Sequence, residues 1–417
     1  MTKLGYGEEI RRRRVEKYRE FDRLCTAKPS EVILITAGSK AEGLTGFFEN
    51  DIDILMVVNG VLCVETGINL DSIKGDIDLF RMDTRVYPGH CRLLQVRQRH
   101  KCLKAMHDSL CDNGNGDILL SSDLCVNEFS SLMITFKLGV VQHERSGPLI
   151  PDTCEGLYHR DKVVALRCQC PSIIHRWAAR THHWPQPFIV QKVVLLGAYV
   201  TPVGCNESEY NHMEWRICFN TGEAELVNNL NDTQVKVYFM LKMILKEIIK
   251  PNNKEITSYV LKNIILWQVE NTPQTHFHAR RLFHWLHEGL TYYMIPERNL
   301  MAACGLEDAL QSKWVEDITH MMEEGPRVIL RLENIRKAIV GSPEPMLWFS
   351  KKNMEIEMLQ LEMCIRGMQC SNVNSLKDSD FIIKAIKRRI EEIMREVMER
   401  MLREGSSVND LVFRVLN

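Results

Sequence analysis

The sequence predicts an α+β protein with a mixed α/β front, a helical back and a helical C-terminal extension. Three observations carry this. Val32 to Thr36 and Asp51 to Val58 are β-branched, apolar runs of strand length near the start of the chain. From about Trp215 onward the texture changes, and Val237, Leu241, Ile244 and Ile248 recur at helical spacing. Beyond Pro343 and Pro345, Ile383, Ile386, Ile390, Ile393 and Val397 alternate by three and four, the stripe of an amphipathic helix.

Taken in order, the first element is a helix from Glu8 to Cys25. It carries Arg11, Arg12, Arg13, Arg14, Lys17, Arg19 and Arg23, with Val15, Tyr18 and Phe21 among them. The strand Val32 to Thr36 runs into Ala37-Gly38-Ser39 and a short helical stretch ending near Gly43, and the second strand follows. In the back half, Thr257 to Val269 and Arg280 to Tyr293 read as helices. No internal repeat or low-complexity tract interrupts this order.

Composition excludes more than it selects. The 417 residues are 45% hydrophobic, enough for a buried core and two or three domains. The formal net charge of -1 gives no overall pull toward nucleic acid or membrane, so such binding rests on local clusters. Met1 to Arg14 holds no apolar run of a secretory signal, and no stretch reaches the ~18 apolar residues of a spanning helix. A cytoplasmic protein without membrane contact is expected, with its 14 cysteines reduced. Cys168 and Cys170 have no second pair to complete a zinc set, so no zinc is expected.

Chemistry concentrates in Gly38-Ser39 and, after eleven intervening residues, Asp51-Ile52-Asp53-Ile54. Strand residues i and i+2 share a face, so Asp51 and Asp53 project together while Ile52 and Ile54 turn to the core. Paired carboxylates repel each other and favour a hard divalent cation. Gly38 lets a phosphate approach the backbone, and Ser39 offers a hydroxyl donor. This is the pattern of a magnesium–nucleoside triphosphate site, and phosphoryl transfer with two metal ions calls for a third carboxylate. Asp161, which opens the strand-like run Asp161 to Leu166, is the candidate, with Asp152 and Glu155 as alternatives.

Gly38-Ser39 with Asp-Ile-Asp-Ile resembles the signature of the polymerase-β-like nucleotidyltransferase superfamily. Glu214-Trp215-Arg216-Ile217-Cys218-Phe219 resembles the Trp-Arg-Leu-Ser-Phe segment of the male-abnormal-twenty-one domain and of the cyclic GMP–AMP synthases. Thr257-Ser258-Tyr259-Val260-Leu261-Lys262 resembles the Ser-Tyr-His-x-Lys helix of that family, with Leu266-Trp267 and Thr272-Pro273 at the expected distances. Tyr292-Tyr293-Met294-Ile295-Pro296 with Asn299-Leu300 is similar to its Tyr-Phe-Ile-Pro…Asn-Leu motif. The order holds from about residue 30 to 335.

The resemblance implies a bilobal nucleotidyltransferase fold: a core lobe with an N-terminal spine helix over residues 1–172, a helical lobe over 173–342 and an extension over 343–417. Asp51, Asp53 and Asp161 are then the catalytic, metal-binding triad for two Mg2+ or Mn2+ ions. Gly38, Ser39, Arg216, Lys242, Ser258 and Tyr259 are the nucleotide-binding residues, and ATP, GTP or other ribonucleoside triphosphates the substrates. Arg and Lys suit phosphates and base edges, and a tyrosine ring gives a base a flat face.

Two departures narrow the likeness. Cys218 stands where the cyclic GMP–AMP synthases carry Ser. The stretch Asn220 to Leu241 lacks the Cys and His of the vertebrate zinc insertion. The resemblance therefore leans toward the invertebrate cyclic GMP–AMP synthase-like receptors, several of which sense double-stranded RNA. The basic run with Arg97, Arg99, Lys101 and Lys104, together with Arg11 to Arg14, is the expected duplex surface; Lys and Arg there neutralise phosphates and read A-form shape. The opposing reading is a solvated basic face balanced by Glu8, Glu9, Glu16, Glu20 and Asp22. The function expected is a double-stranded-RNA-activated synthase of a cyclic dinucleotide, read by a downstream receptor in innate immune signalling. The alternatives are a linear oligonucleotide synthase or a catalytically silent binding module of the same fold.

Overall fold

The computed structural model describes residues 1–27, 30–47, 49, 51–100, 103–112, 114, 116–134, 140–154, 158–181, 183–249, 258–294, 316, 319–321, 323–340, 343–372 and 380–405. Helix α1 (Glu8–Thr26) precedes strand β1 (Val32–Thr36), the four-residue helix α2 (Gly38–Ala41) and the long strand β2 (Ile52–Glu65). Then come β3 (Asp78–Asp83), β4 (His90–Arg97), α3 (Lys104–His107), β5 (Leu110–Asp112), β6 (Ile118–Leu120) and α4 (Ser122–Ile134). Strands β7 (Val140–Gln142), β8 (Ile150–Cys154) and β9 (Tyr158–Gln169) follow, with α5 (Pro171–Ala178), α6 (Pro187–Leu196), β10 (Ala198–Thr201) and β11 (Glu214–Cys218). The later helices are α7 (Asn220–Asn228), α8 (Asp232–Ile244), α9 (Ser258–Asn271), α10 (Leu282–Met294), α11 (Glu333–Val340), α12 (Pro343–Asn372) and α13 (Phe381–Arg403).

The chain is thus α+β with a mixed sheet, and it divides into two compact units. One comprises Glu9–Ala178, Lys192–Ala224 and Lys352–Asn417; the other comprises Met1–Glu8, Ala179–Gln191 and Glu225–Lys351. Among the described residues no helix is long and apolar enough to cross a membrane.

The first unit holds the sheet. β2 runs parallel to β3 and to β9, and the other described pairings are antiparallel. The pairings β2–β3–β4–β11–β10–β9 return to β2 and close a ring. Its inner face buries Met56, Cys63, Phe80, Leu93, Leu166 and Trp215, the last donating its indole N–H to Leu120 O at 2.9 Å.

The second strand was expected over Asp51 to Val58. It continues to Glu65 instead. Its register on β9 shifts between Val57 and Leu62, so Asn59-Gly60 is absorbed within the strand. Gly60 has φ +75°, and the Arg99 guanidinium lies against it.

Helix α12 packs within this unit through Leu361, beside Tyr18, Phe47, Ile52 and Ile54. The stripe anticipated in the tail forms α13, where Ile383, Ile386, Ile393 and Val397 are buried. Asp380 caps α13 by accepting the N–H groups of Ile382 and Ile383, and the Arg366 guanidinium holds its carboxyl well below the usual range.

In the second unit α8, α9 and α10 pack against one another. A reciprocal cap starts α8: Asn231 Oδ1 accepts from Gln234 N at 3.0 Å, and Asn231 N donates to Gln234 Oε1 at 2.8 Å. Phe277 and Trp285 stack with ring centres 4.2 Å apart.

Candidate functional site

The carboxylates come together through strand register. Asp53 on β2 and Asp161 on β9 are partners across the parallel pair. Ile52 and Ile54 turn inward and are buried, as the alternation predicts. Asp51 lies just before β2 and is exposed. Its charge reaches Asp161: burial first, and then the Asp51 carboxylate, push the Asp161 carboxyl above its ordinary value, against an opposing pull from His159.

The Gly-Ser turn abuts these carboxylates. Ala37 N donates to Asp53 O at 2.9 Å, which carries the β1–β2 pairing into the turn. Gly38 has φ +60°, and a Cβ there would overlap the Asp53 carboxylate. A cleft is lined by Ala37, Gly38, Asp53, Leu55, Asp161, Val163 and Asn220. Asn220 was not anticipated; its Oδ1 is buried and, among the described residues, has no hydrogen-bond partner.

Register also orients Arg216. Val200 pairs with both Leu166 and Ile217, so their neighbours Thr201 and Arg216 lie on the opposite face, the one that carries Asp161 and Asp53. Arg216 is exposed there, and Trp215 points the other way into the core. Cys218, in the position read as a missing serine, is within 3.5 Å of the Thr201 hydroxyl.

Asp152, an alternative third carboxylate, is excluded by its surroundings. It is buried, and it accepts from Arg160 Nε at 2.6 Å and from Lys162 Nζ at 2.7 Å, an ion pair internal to the sheet. Glu155 lies outside the described residues. So do Lys101, Thr257, Ile295-Pro296, Asn299-Leu300 and the side chain of Ser258.

Lys242 and Tyr259 belong to the second unit. The Lys242 ammonium lies 5.6 Å from the centre of the Tyr238 ring. Tyr259 is 56% exposed, and the buried Lys262 ammonium lies 5.6 Å from its ring centre.

The basic residues separate into two groups. Arg12 and Arg13 are exposed and make i,i+4 pairs with Glu16 and Glu9; Lys104 is exposed on α3. Arg14 departs from the expected duplex surface: it is 3% exposed and bound to Glu357. Arg11 Nε donates to Glu42 O at 3.2 Å. Arg97 donates to Lys74 O at 2.6 Å, and Arg99 pairs with the buried Asp78 at 3.1 Å. These side chains hold the fold.

Lys40 also went unread in the sequence. It is buried, and its ammonium donates to the carbonyls of Gly46, Phe47 and Glu49, the last two at 3.0 and 2.6 Å. Burial brings its pKa down to about 8, although Glu357, Glu49 and Asp53 pull the other way. Only the three-dimensional contacts reveal this brace.

The fit to a divalent cation is one of donor chemistry. Asp51, Asp53 and Asp161 supply hard oxygens and mutual repulsion that a cation relieves. Among the described residues no three His, Cys, Asp or Glu side chains stand close enough to cage an ion.

No family model matches the chain. A Cyclic GMP-AMP synthase-like receptor from Aethina tumida is 31% identical over 99 residues. The match covers 23% of this chain and 24% of that protein, so it spans about a quarter of the relative. This supports a nucleotidyltransferase relationship, coarser than the family expected from the motifs.

Proposed function

We propose that this protein is a metal-dependent nucleotidyltransferase that joins ribonucleoside triphosphates, ATP and GTP among them, into a cyclic dinucleotide second messenger for innate immune signalling. The observation that carries the reading is the register pairing of Asp53 with Asp161, Asp51 nearby, beside the Gly38 turn. The local likeness to a protein named Cyclic GMP-AMP synthase-like receptor supports the same class.

When bound, two Mg2+ or Mn2+ ions supply charge neutralisation for the attacking and leaving oxygens. Asp51, Asp53 and Asp161 hold them. The turn at Gly38 and Ser39 receives the triphosphate, and Arg216 on the same sheet face offers a guanidinium to phosphate or base. Lys242, Ser258 and Tyr259 are proposed as further nucleotide contacts. A ribose hydroxyl forms a P–O bond to the α-phosphorus of a second nucleotide. The α–β phosphoanhydride bond breaks, pyrophosphate leaves, and the hydroxyl proton passes to water. A second round closes the ring, and a downstream receptor reads the product. Double-stranded RNA is the proposed activator, bound by exposed cations such as Arg12, Arg13 and Lys104.

A second reading is a catalytically silent binding module of the same fold. One experiment separates the two. Purified protein is incubated with labelled ribonucleoside triphosphates and Mg2+ or Mn2+, with no ligand, double-stranded RNA or double-stranded DNA, beside Asp51→Asn/Asp53→Asn. A phosphatase-resistant product that needs double-stranded RNA and vanishes in the variant supports the synthase. No product from folded protein favours the silent module.

A further inference from the structure

The loop that joins the two halves of the candidate site is held from a helix three hundred residues away. Residues 42–49 connect the Gly-Ser turn to Asp51. Lys40 gathers the carbonyls of Gly46, Phe47 and Glu49 from one side. On the other side stands Glu357 of α12, 2% exposed. Its Oε1 accepts from Phe47 N at 2.9 Å and from Arg14 Nε at 2.8 Å, and its Oε2 accepts from Arg14 Nη2 at 2.8 Å. The Phe47 ring is buried against Tyr158 at the start of β9, the strand of Asp161.

A bidentate Arg–carboxylate pair leaves the carboxylate acceptor capacity to spare. The further bond to a loop N–H makes Glu357 a bracket between α1, α12 and the backbone that delivers Asp51. We propose that Glu357 is a positioning residue for the carboxylate site: through Phe47 it holds the segment that leads to Asp51, and so sets Asp51 against Asp53 and Asp161. The proposal rests on the reading of these carboxylates as cation ligands. It gives the C-terminal helices a role in the candidate active site that the motifs do not assign.

The test uses the full chain in three forms: wild type, Glu357→Gln and the double variant Arg14→Met/Glu357→Met. The double variant keeps the volume and removes both charges, an exchange that buried ion pairs commonly tolerate without loss of stability. Glu357→Gln keeps an acceptor for Phe47 N–H. Amide hydrogen exchange over residues 42–49, Mn2+ binding and thermal midpoint are measured on each. The expected result is lost protection and about tenfold weaker Mn2+ binding in the double variant, the range for residues that orient metal ligands, with the midpoint within a few degrees of wild type. Glu357→Gln keeps most of the loop protection through its acceptor, while its midpoint falls because the Arg14 guanidinium is left buried without its counter-charge.

Wild-type protection in the double variant overturns the proposal. So does lost protection with unchanged Mn2+ affinity, because the bracket then serves the fold alone. A wild type that binds no Mn2+ overturns the cation reading itself, and the exchange data still decide whether Glu357 holds the loop.

Discussion

Asp53 and Asp161 are register partners on two parallel strands, one contributed by β2 and the other by β9. Asp161 also feels the Asp51 carboxylate, so neutralising Asp161 relieves repulsion and, on the proposed reading, removes a cation ligand at once. Asp161→Asn is expected to leave the thermal midpoint unchanged or raised. It should lower nucleotidyl transfer by more than about 100-fold, given that even outer-shell partners of a metal cost about 10–100-fold. Paired melting and turnover assays check both halves. A variant that melts early would mark Asp161 as structural.

Gly38 combines a positive φ with the Asp53 carboxylate where a side chain would stand. Gly38→Ala should cost about 1–3 kcal/mol and displace Asp53. Chemical denaturation measures the first effect, and loss of Mn2+ binding the second.

The four consecutive arginines are expected to behave differently. Arg14→Ala leaves Glu357 buried and uncompensated, at a cost of about 3–5 kcal/mol. Arg12→Ala and Arg13→Ala remove exposed i,i+4 pairs and should change stability by less than about 0.5 kcal/mol. If the α1 face binds duplex, those two variants weaken double-stranded RNA binding and flatten its salt dependence. Denaturation and salt-titrated binding on the same proteins resolve this.

Asp22 supplies a pH prediction. It accepts from Thr36 N at 3.0 Å and from Thr36 Oγ1 at 2.8 Å, at the end of β1. Burial raises its carboxyl to about 6, against those bonds. A folded pKa above the unfolded value gives stability that is present below the ordinary carboxylate range and lost as pH rises through about 6. Asp22→Asn retains an acceptor oxygen and cannot ionise. Its stability advantage over wild type should grow by roughly 2–3 kcal/mol between pH 4 and pH 7 and then level off. Unfolding curves across that range check it.

The local parts of the site were legible because strand alternation and turn chemistry are local. Asp51, Asp53, the inward Ile52 and Ile54, and Asp161 on a strand all follow from spacing and β-branched runs. What was hidden depends on distant partners. Nothing near Arg14 in sequence tells it apart from Arg13; Glu357 does. Lys40 has no marked role in the sequence; the carbonyls of Gly46, Phe47 and Glu49 give it one. The extension of β2 past Val58 depends on β9 as a neighbour.

The Phe47–Glu357 hydrogen bond spans 310 residues of chain. During synthesis at about 5–20 residues per second, the Gly-Ser turn and the Asp pair leave the ribosome some 15–60 s before their bracket exists. Chains that stop short of α12 carry every motif of the front half with a loop held by Lys40 but without its second brace. The contact therefore ties the geometry of the carboxylates to synthesis of α12.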